Sequence, residues 1–331
     1  MEQIDHLLAL LDRPAFRAEN GRITALNPAA RALALSEETD LGKLLANSRE
    51  AYAEFSEGFL SLELLLPGST IPAEVTKLDR GHLFTLEPEI AEGDLRILSL
   101  ASQVLREPLA DVMTLAEALP EDTAHRAELT KGLYRLLRIV GNMTPPPDFR
   151  PEMLELNALL RELWDGAQPA CEAMGLRFSF TPTPAPIYIA ADGTMLTRTI
   201  HNLLSNSMKF SSGRELRLEL QRTSSVCRIR FHDPAAQMPT DPFTRYLREP
   251  GLEDPRSGLG MGLRLVRDAA IAHRGTALMA MQPEGGVVTE LRLPIQQDTI
   301  VRSNRLRISY TGEREPLLVE LSDVLPPEFY L

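Results

Sequence analysis

A chain of 331 residues, 44% hydrophobic and 24% charged, is ordinary globular material with enough length for two or three domains. Its formal net charge of −11 argues against nucleic acid or an anionic membrane as the main partner. No apolar run approaches the roughly 20 residues of a membrane span, and the N-terminus MEQIDHLLALLDR lacks a basic stretch ahead of a short apolar block, so the expectation is a soluble cytoplasmic chain. Cys171 and Cys227 stand apart from any CxxC or His spacing and read as two buried, reduced thiols.

Residues 1–90 open on a short amphipathic helix. Two extended segments then flank Asn20-Gly21, a hairpin signal because both positions tolerate positive φ. A helix is predicted from Asn27-Pro28, with Asn as N-cap and Pro at the first helical position. Strands are expected at Phe59–Leu66, Ile71–Leu78 and His82–Glu87. This order, carried by NGRITALNPAARAL, resembles a PAS domain, which implies a sensor module that holds a small ligand or supplies a dimer surface. His82 reads as an ordinary strand residue.

Residues 91–145 form a helical hairpin. In LSLASQVLREPLADVMTLAEAL, Leu98, Leu105, Val112 and Leu119 recur every seven residues, with Ala101, Leu115 and Ala116 between them. Pro108 lies inside the pattern, where it removes a backbone hydrogen bond and bends the helix. After Leu-Pro-Glu-Asp, the residues Leu129, Leu133, Leu136, Val140 and Met143 continue a second amphipathic helix. One hairpin is too thin to bury its own stripe, so two are expected to pair as a four-helix bundle in a homodimer. Thr144-Pro-Pro-Pro-Asp148 is a stiff linker.

Residues 150–294 read as alternating helices and strand pairs, an α/β sandwich. The helix from Met195 to Phe210 contains HNLLSNSMKF, in which Asn202 and Asn206 share a face and Lys209 follows three residues on. A carboxamide oxygen suits Mg²⁺ and a lysine suits phosphate. Phe231-His-Asp-Pro-Ala-Ala-Gln-Met238 ends a strand on Asp233. Gly258, Gly260 and Gly262 open a helix and permit close backbone approach to phosphate. Residues 295–331 are expected to be a C-terminal β extension, with strands at Arg305–Tyr310 and Leu317–Leu321, and no role is legible in them.

Taken together, these motifs resemble those of sensor histidine kinases. The run ASQVLREPL is similar to the family's phosphoacceptor helix, A-S-H-E-L-R-T-P-L, with Gln103 at the histidine, Val104 at the neighbouring acid and Glu107 at the polar residue of the phosphatase reaction. NLLSNSMK resembles the N box of the histidine-kinase and Hsp90-type (GHKL) ATPases, and GLGMGLRLVRDAAIAHRGT resembles the G2 box with its helix. The resemblance implies an α+β multidomain protein: PAS-like domain, dimeric hairpin, and GHKL-type α/β sandwich with ATP and Mg²⁺ as cofactors. It implies that Asn206 holds Mg²⁺, that Lys209 meets a phosphate, and that Asn202 positions the metal's water or the reacting phosphate. Asp233 accepts from the adenine amine, and Gly258, Gly260 and Gly262 cradle the nucleotide, with residues 236–257 as a lid carrying Phe243. Ala235 and Gln237 replace family glycines, so strain and side-chain bulk are expected to weaken adenine binding. A glutamine amide is a poor nucleophile and Val104 accepts no proton, so the expectation is a histidine-kinase-like two-component pseudokinase that signals through dimer conformation. Its partner would be a response regulator or another kinase. Two alternatives stand beside it: an active kinase using Ser99, Ser102, His125 or a partner chain as acceptor, and an Hsp90-like or anti-sigma-type ATPase.

Overall fold

The fold is given by a computed structural model, which describes residues 8, 11, 13–45, 48–87, 92–120, 123, 125–143, 149–238, 262–295 and 314–331. Asn20 and Gly21, with φ of 50° and 77°, close the hairpin of β1 (Ala15–Glu19) and β2 (Arg22–Leu26). Asn27 then caps α1 (Pro28–Ala32): its Oδ1 accepts from Ala30 N at 2.9 Å and from Ala15 N at 3.0 Å, while its Nδ2 donates to the carbonyls of Leu11 and Arg13. Two short helices, α2 (Leu41–Leu45) and α3 (Arg49–Glu54), lead into β3 (Phe59–Leu66), β4 (Ser69–Lys77) and β5 (His82–Leu86). These five strands form an antiparallel sheet in the order β2-β1-β5-β4-β3. Its core is centred on Phe16 and Phe84, whose rings stack 4.6 Å apart.

The hairpin consists of α4 (Glu92–Glu117) and α5 (Arg126–Met143), with Pro108 inside α4. Leu109, Met113 and Ala116 pack on Leu133, Leu137 and Val140. Much of the seven-residue stripe is not used in that contact. Leu105, Val112 and Leu115 on α4, and Leu129 and Leu136 on α5, are exposed in the single chain.

The second half begins with a short strand that the sequence reading did not anticipate, β6 (Glu152–Glu155), followed by α6 (Leu156–Ala173), β7 (Arg177–Thr181), β8 (Tyr188–Ala191) and α7 (Gly193–Phe210). Then come β9 (Glu215–Arg222), β10 (Val226–Asp233), α8 (Gly262–Ala272), β11 (Thr276–Met281) and β12 (Val287–Pro294). Strands β6 and β8 pair with each other, and the rest continue the first sheet as β3-β11-β12-β10-β9-β7, antiparallel except for β7 with β9. Helices α6, α7 and α8 pack their apolar faces on this half, which buries both Cys171 and Cys227 as free thiols pushed up to about 12 by burial. Among the described residues, no helix is long and apolar enough to cross a membrane.

The C-terminal segment corrects the expected β extension. Residues 316–320 form a helix, α9 (Pro316–Glu320), and a 3₁₀ turn follows at Pro327–Tyr330. Pro316 supplies a helix-compatible φ at the first turn. Leu317, Leu321 and Leu325 enter the core of the second half, while Val319 enters the hairpin core on the other side. A segment buried on both sides shows apolar residues at strand spacing as well as helix spacing, which is why periodicity misled. The expected strand at Arg305–Tyr310 lies outside the described residues, as do Thr144–Asp148.

The seam between the halves is the pairing of β3 with β11, Ser61 opposite Ala277 and Phe59 opposite Met279. Each strand would otherwise be an open edge. Glu54 on α3 adds ion pairs to Arg228 and Arg292, both at 2.8 Å. Gly58 has φ +84°, and a Cβ there would lie 2.1 Å from the Met279 carbonyl oxygen, whereas Gly68, at φ +88°, has nothing within 4 Å. Gly58→Ala is therefore expected to cost about 3 kcal/mol or more and Gly68→Ala about 1 kcal/mol, measured by urea unfolding. Equal costs would mean that the seam is not closely packed.

Candidate functional site

Helix α7 carries an unusual run of buried polar groups: Thr197, Arg198, Thr199, His201, Asn202 and Ser205. Burying a polar group without a partner is costly, and among the described residues Thr197 Oγ1, His201 Nδ1 and Ser205 Oγ have none, so this face is a candidate site rather than plain core. The helix begins at Asp192, whose Oδ1 accepts from Met195 N at 3.1 Å. The Asp192 amide donates to His273 Nε2 at 2.9 Å, and the other ring nitrogen, Nδ1, lies 2.6 Å from the Ala269 carbonyl. That arrangement makes Nε2 the acceptor and Nδ1 the donor. His273 thus pins the start of α7 to the end of α8, and burial holds its pKa below the ordinary value. Its role is positional.

Three of the predicted residues converge. Asn202 and Asn206 face Gly262 at the start of α8, where a Cβ would stand 2.5 Å from Asn202 Oδ1 and 3.4 Å from Asn206 Nδ2. The glycine is needed for the two helices to meet. Asp233, at the end of β10, accepts from Ser211 Oγ at 2.8 Å and from Ala235 N at 3.1 Å. Its second oxygen, Oδ2, is buried and has no hydrogen-bond partner among the described residues. Such an acceptor is costly unless something donates to it, and an exocyclic amine would. Gly258, Gly260 and Phe243 lie outside the described residues.

Two expectations about the altered glycine loop are corrected. The described non-glycine residues with positive φ are Asn20, Ala34, His125 and Arg274, so neither Ala235 nor Gln237 is strained in the left-handed region. Gln237 is exposed rather than filling the interior. Ala235 instead packs on Gly213, where a Cβ would come within 2.6 Å of its own. The loop accommodates its side chains because the opposing residue gave up one.

The C-terminal segment supplies the partners that the sequence did not reveal. Glu320 is fully buried and receives Arg138 Nε and Arg198 Nε, each at 3.1 Å, and Asn202 Nδ2 at 3.2 Å. Asp323 receives Arg138 Nη1 at 2.5 Å, Arg135 Nε at 2.8 Å and the Lys209 ammonium. Burial, reinforced by the Arg138 charge, pulls Lys209 down to about 8 despite Asp323 beside it. Burial would raise Asp323, but Arg138, Lys209 and Arg135 outweigh it and hold the carboxyl below its ordinary value. Glu320 and Asp323 are three apart in LLVELSD, a helical spacing that places both acids on one side. That spacing was the one signal available for them.

On α4, Gln103, Val104 and Glu107 are all exposed, as a reacting surface would be. Ser102 is fully buried, while His125 is 87% exposed between the helices. The side chain of Ser99 lies outside the described residues.

Residues 191–297 match the family model for the histidine kinase-, DNA gyrase B- and HSP90-like ATPases. The signal transduction histidine-protein kinase BaeS of Escherichia coli K12 is 31% identical over 215 residues, 60% of this chain and 46% of that protein. Residues 191–297 are thus similar to the ATPase domain of histidine kinases, and the chain more widely resembles sensor histidine kinases. Sensor histidine kinase CusS of E. coli O6:H1 is 22% identical over 246 residues, covering 68% of the chain and 51% of CusS. The chain spans about half the length of the curated relatives it matches. Among solved structures, full-length ShkA in complex with AMPPNP has a similar fold, with a TM-score of 0.50 at 19% identity over 62% of this chain and 47% of ShkA.

One buried group of this domain titrates in an accessible range. His201 is fully enclosed, and burial pushes it down to about 4 from 6.5, with Nδ1 lacking a partner among the described residues. Between those values the unfolded chain binds a proton that the folded chain does not, so stability falls as pH drops from 6.5 towards 4, by about 3 kcal/mol in all. Urea unfolding at pH 7, 6 and 5 is expected to show a slope of about 1.4 kcal/mol per pH unit below 6.5. That slope should flatten in His201→Gln; an unchanged slope would assign it to other groups.

Proposed function

We propose that this is a histidine-kinase-like two-component signalling protein with an ATPase-family domain, and that it is a pseudokinase: it binds Mg-ATP without phosphorylating a histidine on α4, and signals through dimer conformation to a response regulator or another kinase. The observation that carries this reading is a mismatch between two halves of one reaction. Asn202, Asn206 and Gly262 are brought together and Asp233 Oδ2 awaits a donor, while the exposed residue aligned with the acceptor is Gln103.

The residues fit the nucleotide in named roles. Asp233 Oδ2 takes the adenine amine, and the close approach of α8 at Gly262 leaves backbone for phosphate. Asn206 offers a carboxamide oxygen to Mg²⁺, Lys209 offers charge to phosphate, and Asn202 orients the metal's water. ATP in such a site supplies a transferable γ-phosphoryl group. On the acceptor side, the Gln103 nitrogen lone pair is delocalised into its carbonyl, and Val104 cannot take a proton. Phosphotransfer to α4 therefore stops at binding.

The β2-β1-β5-β4-β3 sheet with its intervening short helices supports a PAS-like sensor in residues 1–90. The exposed Leu105, Val112, Leu115 and Leu136 support a homodimer built as a four-helix bundle. A second reading keeps the chain as an active kinase with another acceptor. The exposure of His125 favours it and the burial of Ser102 disfavours one of its candidates. Stable transfer of label from radiolabelled ATP, lost in His125→Ala, would replace the pseudokinase reading by this one.

Calorimetric titration with Mg-ATP is expected to give saturable binding, weakened at least tenfold in Asn206→Ala, a difference of about 1.4 kcal/mol. Silence at millimolar nucleotide would remove the nucleotide from the proposal. For the bundle, sedimentation equilibrium is expected to show a dimer that the double substitution Val112→Glu and Leu115→Glu converts to monomer; a dimer surviving both changes would place the interface elsewhere.

A further inference from the structure

We infer that residues 314–331 are an autoinhibitory clasp, whose carboxylates occupy the groups that nucleotide phosphate and its metal would engage. The inference deepens the proposed nucleotide reading and rests on it. The segment grips both helical layers. Arg314 on its N-terminal side pairs with Glu117 of α4 at 2.9 Å, and Val319 enters the hairpin core. Leu317, Leu321, Leu325 and Tyr330 enter the core of the ATPase half. Tyr330 lies edge-on to Tyr134 of α5, with centroids 5.1 Å apart, and its hydroxyl donates to the Leu318 carbonyl at 2.9 Å.

Between these anchors, Glu320 and Asp323 reach the site. Four cations converge on the two carboxylates: Arg135 and Arg138 from the hairpin, and Arg198 and Lys209 from α7. A pocket with that surplus of positive charge suits a polyanion, and the tail is the anion now in it. Lys209 cannot offer its charge to phosphate while Asp323 holds it, and the Asn202 carboxamide is held on both atoms, its Nδ2 donating to Glu320 and its Oδ1 facing Arg138 Nη2, which competes with orienting a metal-bound water. Because Arg138 bonds both acids and also approaches Asn202 at 3.5 Å, the docked tail couples the hairpin to α7. Nucleotide and docked tail are thus alternatives, and the apparent nucleotide affinity is reduced by the fraction of molecules in which the tail is seated.

The test uses the full chain. Hydrogen exchange of the wild type is measured with and without saturating Mg-AMPPNP, and Mg-ATP affinity is compared between the wild type and Asp323→Asn. The expected result is faster exchange across residues 314–331 when Mg-AMPPNP binds, with at least tenfold tighter Mg-ATP binding in Asp323→Asn. Saturable binding with unchanged protection of 314–331 would overturn the clasp and leave the nucleotide site standing. Failure of both proteins to bind nucleotide, with the tail still protected, would remove the nucleotide reading and the clasp together. The wild-type exchange result decides the matter even if Asp323→Asn folds poorly.

Discussion

The buried network of Arg138, Glu320, Arg198 and Asn202 is the interaction on which the arrangement of the ATPase half depends. It joins three stretches far apart in the chain: a hairpin helix, the helix of the site, and the C-terminal segment. Burying a carboxylate costs several kcal/mol unless its lone pairs are met, and Glu320 meets two guanidinium groups and an amide. The network is therefore all-or-none in character. Removing one member leaves charge stranded in the interior, so hairpin, α7 and tail hold one mutual geometry or release it together.

A second constraint acts in the middle of the sheet. The edge strands β3 and β11 satisfy each other, and Gly58 allows the two backbones to approach without a side chain between them. The Glu54 carboxylate, meeting Arg228 and Arg292, fixes α3 on the same seam. The ATPase half is thus held at two places, by backbone pairing to the N-terminal sheet and by ion pairs to hairpin and tail. A further contact, Arg267 with Glu87 at 2.7 Å, ties α8 to the end of β5. Any change in the N-terminal sheet is positioned to reach the helix that opens on Gly262.

Local chemistry explains which elements were legible. Asn20-Gly21 and Asn27-Pro28 specify a turn and a cap through the backbone preferences of their own residues, and the structure realises both. NLLSNSMK placed Asn202, Asn206 and Lys209 on one helix, where spacing alone puts them on neighbouring faces. The loop after Asp233 was misjudged because its glycine replacements were weighed without Gly213, the residue across from Ala235 that makes room. The C-terminal segment was misjudged because burial on two sides leaves an apolar pattern compatible with either period.

The sequence by itself determined the turn and cap positions, the amphipathic helices, and the chemical types gathered on α7. Each follows from short-range spacing and from what a side chain can donate or accept. Only the tertiary structure decided that Asp233 keeps an unpartnered oxygen, that two halves share one ten-stranded sheet, and that Glu320 and Asp323 meet the basic groups of α5 and α7. Those pairings join residues more than a hundred positions apart. No local propensity encodes them; they follow from the requirement that buried charges and strand edges find partners wherever the folded chain brings them.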